Sequence, residues 1–310
     1  MAKSASQSTI NYRFSGDATF PCRYTWLPKA VRNLSGETLF QDDDAAMVRL
    51  GVGKNMVRAI RFWADVVGVL TLGVDGTPQV SSFGLQLLGE SGHDPYLEDL
   101  QTLWLIHWKM STNSAPLFAW DYLLNSWHRP EFTRTEAVRA FTEEANRLGR
   151  RLSPVTLNDH FTTFLHTYVP TRSPKGDVLE DNLDCPLIEL DFIIKVGERA
   201  VAESSYREPI YCFQTDDKPE IGSDLFVYSL NDFWAKHRPN EATLTFRDVY
   251  SGRNSPGVVF KLPEQSIRQR LETIEHDSNG CFAFEESAAL QQVLRKRDIS
   301  EKQLLSRIYA

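Results

Sequence analysis

Apolar positions recur at helical spacing between residues 54 and 67. Met56, Val57, Ile60, Trp63, Ala64 and Val67 make one stripe, while Lys54, Asn55, Arg58, Arg61 and Asp65 fall on the opposite side. The pattern predicts an amphipathic helix with a basic outer face. A shorter helix over roughly 43–50 precedes it, joined through Gly51-Val52-Gly53, a turn whose glycines permit positive φ. The period then changes to that of strands near Val69–Leu72 and Val80–Phe83, around a tip carrying the hairpin signal Asp75-Gly76. With a first helix over Tyr24–Leu34, residues 12–92 read as a winged helix-turn-helix.

Helical spacing continues further along the chain. Leu97, Leu100, Leu103, Trp104, His107 and Trp108 share a face in a helix expected from Pro95 to about Met110. Pro116–Trp127, Thr133–Gly149 and Ser153–Tyr168 give three more, so 93–169 is a helical region. Residues 170–184, rich in proline and acids, read as a linker, and 1–11 as a disordered tail. Residues 185–310 mix periods. We expect a short helix at Pro186–Ile194, a strand at Glu208–Gln214 and a helix at Leu225–Lys236. A loop, SGRNSPGVVFKL, should lead into a strand, followed by a helix at Glu264–Glu275, an edge strand at CFAFEE and a last helix over Ala288–Arg297. Helices followed by short strands suggest a second, winged-helix-like module. The expected class is mainly α with small β hairpins: a winged helix, a central helical region and a C-terminal α+β domain.

At 310 residues the chain is long enough for two or three domains. No window is apolar for long enough to span a bilayer, and MAKSASQST lacks the apolar core of a leader, so no membrane and a cytoplasmic location are expected. Cys22, Cys185, Cys212 and Cys281 form no CxxC pair and read as buried small hydrophobes. The net charge of −7 is unevenly spread. Residues 177–224 hold 13 acids and 4 bases, a balance of −9, which leaves the rest near +2. That acidic region is suited to a basic partner, to a divalent metal, or simply to solvent.

The charge pattern around the first turn points to nucleic acid. Arg49, Lys54, Arg58 and Arg61, with Asn55 among them and no acid between 49 and 61, suit a helix lying in a DNA major groove. The plainer alternative is a solvated or protein-docking face. Asp42-Asp43-Asp44 would oppose phosphates, yet acids at a helix start also cap it and complement its dipole. Seven tryptophans offer stacking surfaces, but most lie on apolar stripes and read as core.

Cutting DNA commonly needs carboxylates that hold Mg²⁺. Three groups could supply them. Asp94 and Glu98, four apart, with Asp99 beside them, would share the first turns of a helix and are the candidate catalytic and metal-binding residues; capping is their ordinary alternative. Glu189, Asp191, Asp216 and Lys218 include an acid–any–Lys element of the kind found in restriction-type nuclease cores, although that element should lie within a strand and here Pro219 follows it. Asp42–Asp44 are the third. No Walker A loop, GxGxxG before a helix, HExxH or nucleophile elbow is present.

Four stretches, FSGDATFPCRYTWLPK, DDDAAMVRLGVGKNMVRAIRFW, GHDPYLEDLQTLWLIHWKM and LDCPLIEL, resemble in that order a bacterial family long catalogued as a domain of unknown function. Its members sit with DNA phosphorothioation and other phage-defence genes, and its best-characterised branch is the SspB-type DNA nickases of the single-strand phosphorothioation system. The resemblance spans roughly 14–300. In the first motif this chain has Asp17-Ala18 where a His-Glu pair is expected. The resemblance implies a DNA-binding protein of a phosphorothioation or defence system, acting as a nickase with Mg²⁺ or Mn²⁺. Its expected partners are double-stranded DNA and other proteins of that system, with a homodimer left open. The alternatives are a non-catalytic adaptor of the same system and a winged-helix transcriptional regulator.

Overall fold

The computed structural model describes residues 10–14, 16–17, 19–34, 40, 42–170, 185–201, 207–287 and 290–310. Nearly all of the expected linker and of the expected N-terminal tail lie outside them. Over the described residues the fold is mainly helical with three small antiparallel sheets.

The N-terminal elements are α1 (Trp26–Asn33), α2 (Asp43–Leu50), α3 (Lys54–Val67), β1 (Leu70–Leu72), β2 (Pro78–Val80) and α4 (Ser82–Leu88). The Asp42 carboxylate caps α2 by accepting from the Asp44 and Ala45 amides. Gly51 ends it at φ 65, a left-handed conformation that costs a glycine little. Strands β1 and β2 pair antiparallel, Leu70 opposite Val80, around the Asp75-Gly76 tip. The second strand does not reach Phe83 as expected. Ser81 caps α4, its hydroxyl accepting from the Gly84 amide at 2.9 Å, and Phe83, Leu87 and Leu88 are buried at helical spacing.

The central elements are α5 (Leu100–Ser111), α6 (Phe118–Asn125), β3 (Glu131–Phe132), α7 (Arg134–Arg147) and α8 (Pro154–Tyr168). Helix α8 starts as expected, with Ser153 as cap and Pro154 in its first turn. Helix α5 begins at Leu100 rather than Pro95, because Leu97 is buried in a left-handed conformation at φ 60, which breaks the helical path.

After a 3₁₀ turn at Pro186–Leu190 come β4 (Ile193–Ala200), β5 (Arg207–Phe213), α9 (Ser223–His237), β6 (Thr243–Thr245), α10 (Phe246–Ser251), α11 (Pro256–Val259), α12 (Glu264–Glu272), α13 (Ile274–Asp277), β7 (Phe282–Glu286), β8 (Gln291–Arg295) and α14 (Glu301–Ile308). One sheet runs β3-β5-β4, the other β6-β8-β7. Three expectations fail here. The helix expected at 186–194 ends when Asp191 turns left-handed at φ 46, and Ile193 then opens β4. The loop expected before 260 contains α11, with Ser255 as cap and Pro256 at its first position. Residues 291–295, expected to be helical, form the central strand of the second sheet, with Val293 buried between Leu244 and Phe284; the last helix lies later, at α14.

Buried side chains form one continuous core from Cys22 to Ile308. Trp26, Trp63, Trp104, Trp108, Trp120 and Trp234 belong to it, which settles the stacking alternative for those six in favour of packing. Cys22, Cys185 and Cys281 are buried as expected, while Cys212 is half-buried. Among the described residues no helix is long and apolar enough to cross a membrane.

Candidate nucleic-acid interface and acidic cavity

Helix α3 has the two faces that its spacing requires. Val57, Ile60, Trp63, Ala64 and Val67 are buried and Met56 is half-buried against them. The Trp63 indole donates to the Phe20 carbonyl at 2.9 Å, and its ring meets Trp120 of α6 edge-on. This anchoring fixes the outer face. Lys54, Asn55, Arg58 and Arg61 are exposed there, and so is Arg49 at the end of α2. Lys54 and Arg58 both reach the Asp43 carboxylate at 3.4 Å, and Arg58 keeps 57% of its side chain in water. Arg61 contacts the Phe40 carbonyl at 3.5 Å. An exposed carboxylate shared between two cations at that distance holds neither firmly, since such surface pairs contribute about 0–1 kcal/mol. The acids of the Asp42–Asp44 run therefore cap α2 and steady α3 without cancelling its charge.

The Asp94, Glu98 and Asp99 group is organised differently from its sequence expectation. A shared helical face for Asp94 and Glu98 needs a helix through residues 94–98, and the helix begins only at Leu100. The Asp94 carboxylate is buried and accepts from the Glu98 amide at 2.9 Å and the Asp99 amide at 3.0 Å. Asp99 caps α5 by accepting from the Gln101 amide at 2.8 Å. Glu98 alone points to solvent. Two of the three carboxylates are thus engaged by backbone N–H groups, which is what a chain turning into a helix needs.

The second group converges. Glu189 and Asp191 from the 3₁₀ turn, and Asp216 and Lys218 from the segment after β5, line one cavity of about 180 Å³ together with Glu220. Its wall includes Trp104. Lys218 is buried at its base. It donates to the Asp216 carboxylate at 2.8 Å and to the Gln214 and Asp216 carbonyls. Burial draws the Lys218 pKa down, and Asp216 opposes that shift. The same hydrogen bond holds Asp216 below the usual carboxylate range. The Tyr24 hydroxyl donates to Glu189, tying α1's approach to the rim. As the sequence indicated, the Asp216–Lys218 element lies outside the strand. Its lysine has its donors satisfied within the protein, so its visible work is to fold residues 214–218 under the cavity. Among the described residues no three His, Cys, Asp or Glu side chains are placed to hold one metal ion together.

Two residues that the sequence reading passed over contribute to these regions. Glu220 completes the cavity rim, two positions after a lysine already singled out. Arg13 reaches across to Asp65 of α3, a partner 52 residues away in sequence that leaves no local signature.

Comparison with known proteins gives a family and a fold. A family model described as "Protein of unknown function (DUF4007)" matches residues 14–309. No curated protein matches the chain. Two solved structures are similar to it over nearly its whole length. One, described as "SspB crystal structure", has a TM-score of 0.81 at 23% identity, over 97% of this chain and 88% of that one. The other, described as "Magnesium ion-bound SspB crystal structure", has a TM-score of 0.79 at 24% identity, over 94% and 85%.

Proposed function

The chain belongs to the DUF4007 family, and from that premise we propose that it is a DNA-binding protein of a phosphorothioation or related phage-defence system. The observation that carries the reading is the outer face of α3: four exposed polar side chains, three of them cationic, on a helix whose other face is locked into the core. We read α1–α3 with the β1–β2 hairpin as a winged helix whose α3 enters the major groove. The order α9, β6, α10, α12, β7, β8, with sheet order β6-β8-β7, reads as a second winged helix. Phosphate contacts by Lys54, Arg58 and Arg61, with Arg49 at the rim, would supply affinity that falls steeply with salt. The test is an anisotropy titration of labelled duplex DNA across salt concentrations, comparing the native chain with Arg58→Ala/Arg61→Ala. An affinity independent of both salt and these substitutions would remove the reading.

Nicking is a second reading, favoured by the magnesium in the description of one similar structure. The described side chains do not form a closed set of protein ligands for such an ion. Asp94, Glu98 and Asp99 remain the sequence-based candidates for this activity, with Glu189, Asp191 and Asp216 around the acidic cavity as the alternative set. Incubation of the pure protein with supercoiled plasmid and Mg²⁺ or Mn²⁺ separates the two functions. Open circles support a nickase, and binding without conversion supports an adaptor.

A further inference from the structure

The basic face of α3 is not flat. Between α3 and the β1–β2 hairpin lies an open cavity of about 380 Å³. Arg13, Arg58 and Arg61 line it together with Phe62, Leu70 and Leu72. Arg13 and Gly16, from the start of the chain's described part, line its side. Gly16 sits against the Phe62 ring so closely that a Cβ would come within 2.5 Å of it, at a φ of +126 that disfavours any other residue. Among the described lining residues Asp65, paired with Arg13, is the one acid, so three guanidiniums face one carboxylate. The hairpin beside the cavity shows apolar side chains to water: Leu72 is 64% exposed and Val74, at the tip, fully so.

We propose that this cavity receives one nucleotide extruded from the duplex bound on α3. The inference rests on the DNA-binding reading and names what that site would do with its ligand. A nucleotide combines an apolar planar base with an anionic phosphate, and the cavity combines an aromatic and aliphatic lining with three guanidiniums. A fully stacked duplex offers no group that fits the apolar part. Exposed aliphatic side chains on a hairpin are suited to wedge between base steps once the base has left. Apolar side chains beside three guanidiniums also distinguish this site from a plain phosphate cleft, which would need no such lining. The volume falls at the lower end of the range for small-ligand sites, which is consistent with one nucleotide unit.

The full chain is titrated with two duplexes identical except for a single central mispair, and with a third carrying 2-aminopurine at that position. Extrusion costs less at a mispair, so about tenfold tighter binding to the mispaired duplex is expected. Binding of the third duplex should raise 2-aminopurine fluorescence several-fold as the base leaves the stack. Leu72→Trp, at an exposed position on the cavity wall, should fill the space. It should abolish both the preference for the mispair and the rise in 2-aminopurine fluorescence. Equal affinity for matched and mispaired DNA with unchanged fluorescence at saturation overturns the extrusion site and leaves the DNA-binding reading intact. A mispair preference that survives Leu72→Trp in a variant with the native circular dichroism spectrum overturns it as well. Absence of binding to any of the three duplexes overturns both readings.

Discussion

Two regions of this molecule use similar parts and treat their arginines in opposite ways. In the N-terminal region, Arg58 and Arg61 stand on the outside of α3, where among the described residues they reach a shared carboxylate at 3.4 Å and a carbonyl at 3.5 Å. In the C-terminal region, α12 follows α10 and α11, and its arginines turn inward. Arg270 donates to the Ile221 carbonyl at 2.5 Å and the Lys218 carbonyl at 3.0 Å, and it reaches Asp217 at 3.4 Å, with only 15% of its side chain exposed. Arg268 lies over the Phe246 ring and pairs with Glu286 of β7. A cation already desolvated and satisfied gains little from a phosphate, whereas one held loosely in water exchanges partners easily. Similar helix and strand orders therefore do not imply similar surfaces. On α3 the cations stay at the surface, whereas on α12 Arg270 is committed to the Ile221 and Lys218 carbonyls beneath the acidic cavity.

The contrast breaks most readily in DNA binding. Arg58→Ala/Arg61→Ala should weaken binding about a hundredfold, roughly 3 kcal/mol. The log–log salt slope should fall by about 1.8, since each phosphate that goes without its arginine accounts for about 0.9. Arg268→Ala should leave affinity and slope unchanged. Equal losses from the two helices, measured by anisotropy on folded proteins, would erase the distinction between the units.

A comparable effect on stability should come from acid, at the joint between α5 and the C-terminal unit. His107 is wholly buried. Its Nε2–H donates to the Val259 carbonyl at 3.0 Å, which leaves Nδ1 to accept from the Tyr168 hydroxyl at 2.8 Å; the Trp120 indole in turn donates to that hydroxyl. Burial lowers the His107 pKa from 6.5 to about 4. The unfolded chain therefore takes up the proton first as pH falls. Stability is intact above about 6.5, is lost as pH falls toward 4, and levels off below that, by about 3 kcal/mol in all. Urea unfolding across this range checks it, and His107→Gln should flatten the dependence. If the acid transition is unchanged in that variant, His107 is not its source.

Arg270→Ala sharpens the comparison from the other side. It should cost about 2 kcal/mol, because two carbonyls lose a charge-assisted donor, with no change in the DNA salt slope. A change in slope without a loss of stability would place Arg270 with the DNA contacts.

The elements read correctly from sequence are those whose signal is local. The stripe of α3 needs only its own side chains, and the Asp42 and Ser153 caps act within four residues. The failures lie where distant contacts decide. Gln291–Arg295 has a mixed composition that fits a helix, and it becomes a strand because Val293 is paired from both sides by β6 and β7, the first of them some 50 residues earlier. Ile193 opens a strand because β5 lies alongside it. The candidate site divides the same way. The outer face of α3 was legible in full. The gathering of Glu189, Asp191, Asp216 and Lys218 showed only as a weak motif, because one pair comes from a turn and the other from the segment after β5. Arg13 gave no signal, since its role exists only through its partner Asp65, 52 residues later on α3.

The smallest predicted effect concerns the carboxylates nearest α5, and it bears on whether either unit has a catalytic neighbour. Asp94 holds the Glu98 and Asp99 amides, and Asp99 holds that of Gln101. The Asp99 bond is the cap of α5, so Asp99→Ala should cost about 1 kcal/mol of stability and Asp99→Asn or Asp99→Ser much less, since an amide or hydroxyl oxygen can also accept from the backbone. A carboxylate that served a metal would behave otherwise. Asparagine keeps the acceptor but loses the charge, so Asp99→Asn would then abolish any plasmid nicking while stability stayed near native. Paired measurements of urea midpoint and open-circle formation on the Ala and Asn variants therefore separate the two roles. Nicking that survives Asp99→Asn assigns the residue to the start of α5 and leaves Glu189, Asp191 and Asp216 as the acids to substitute next.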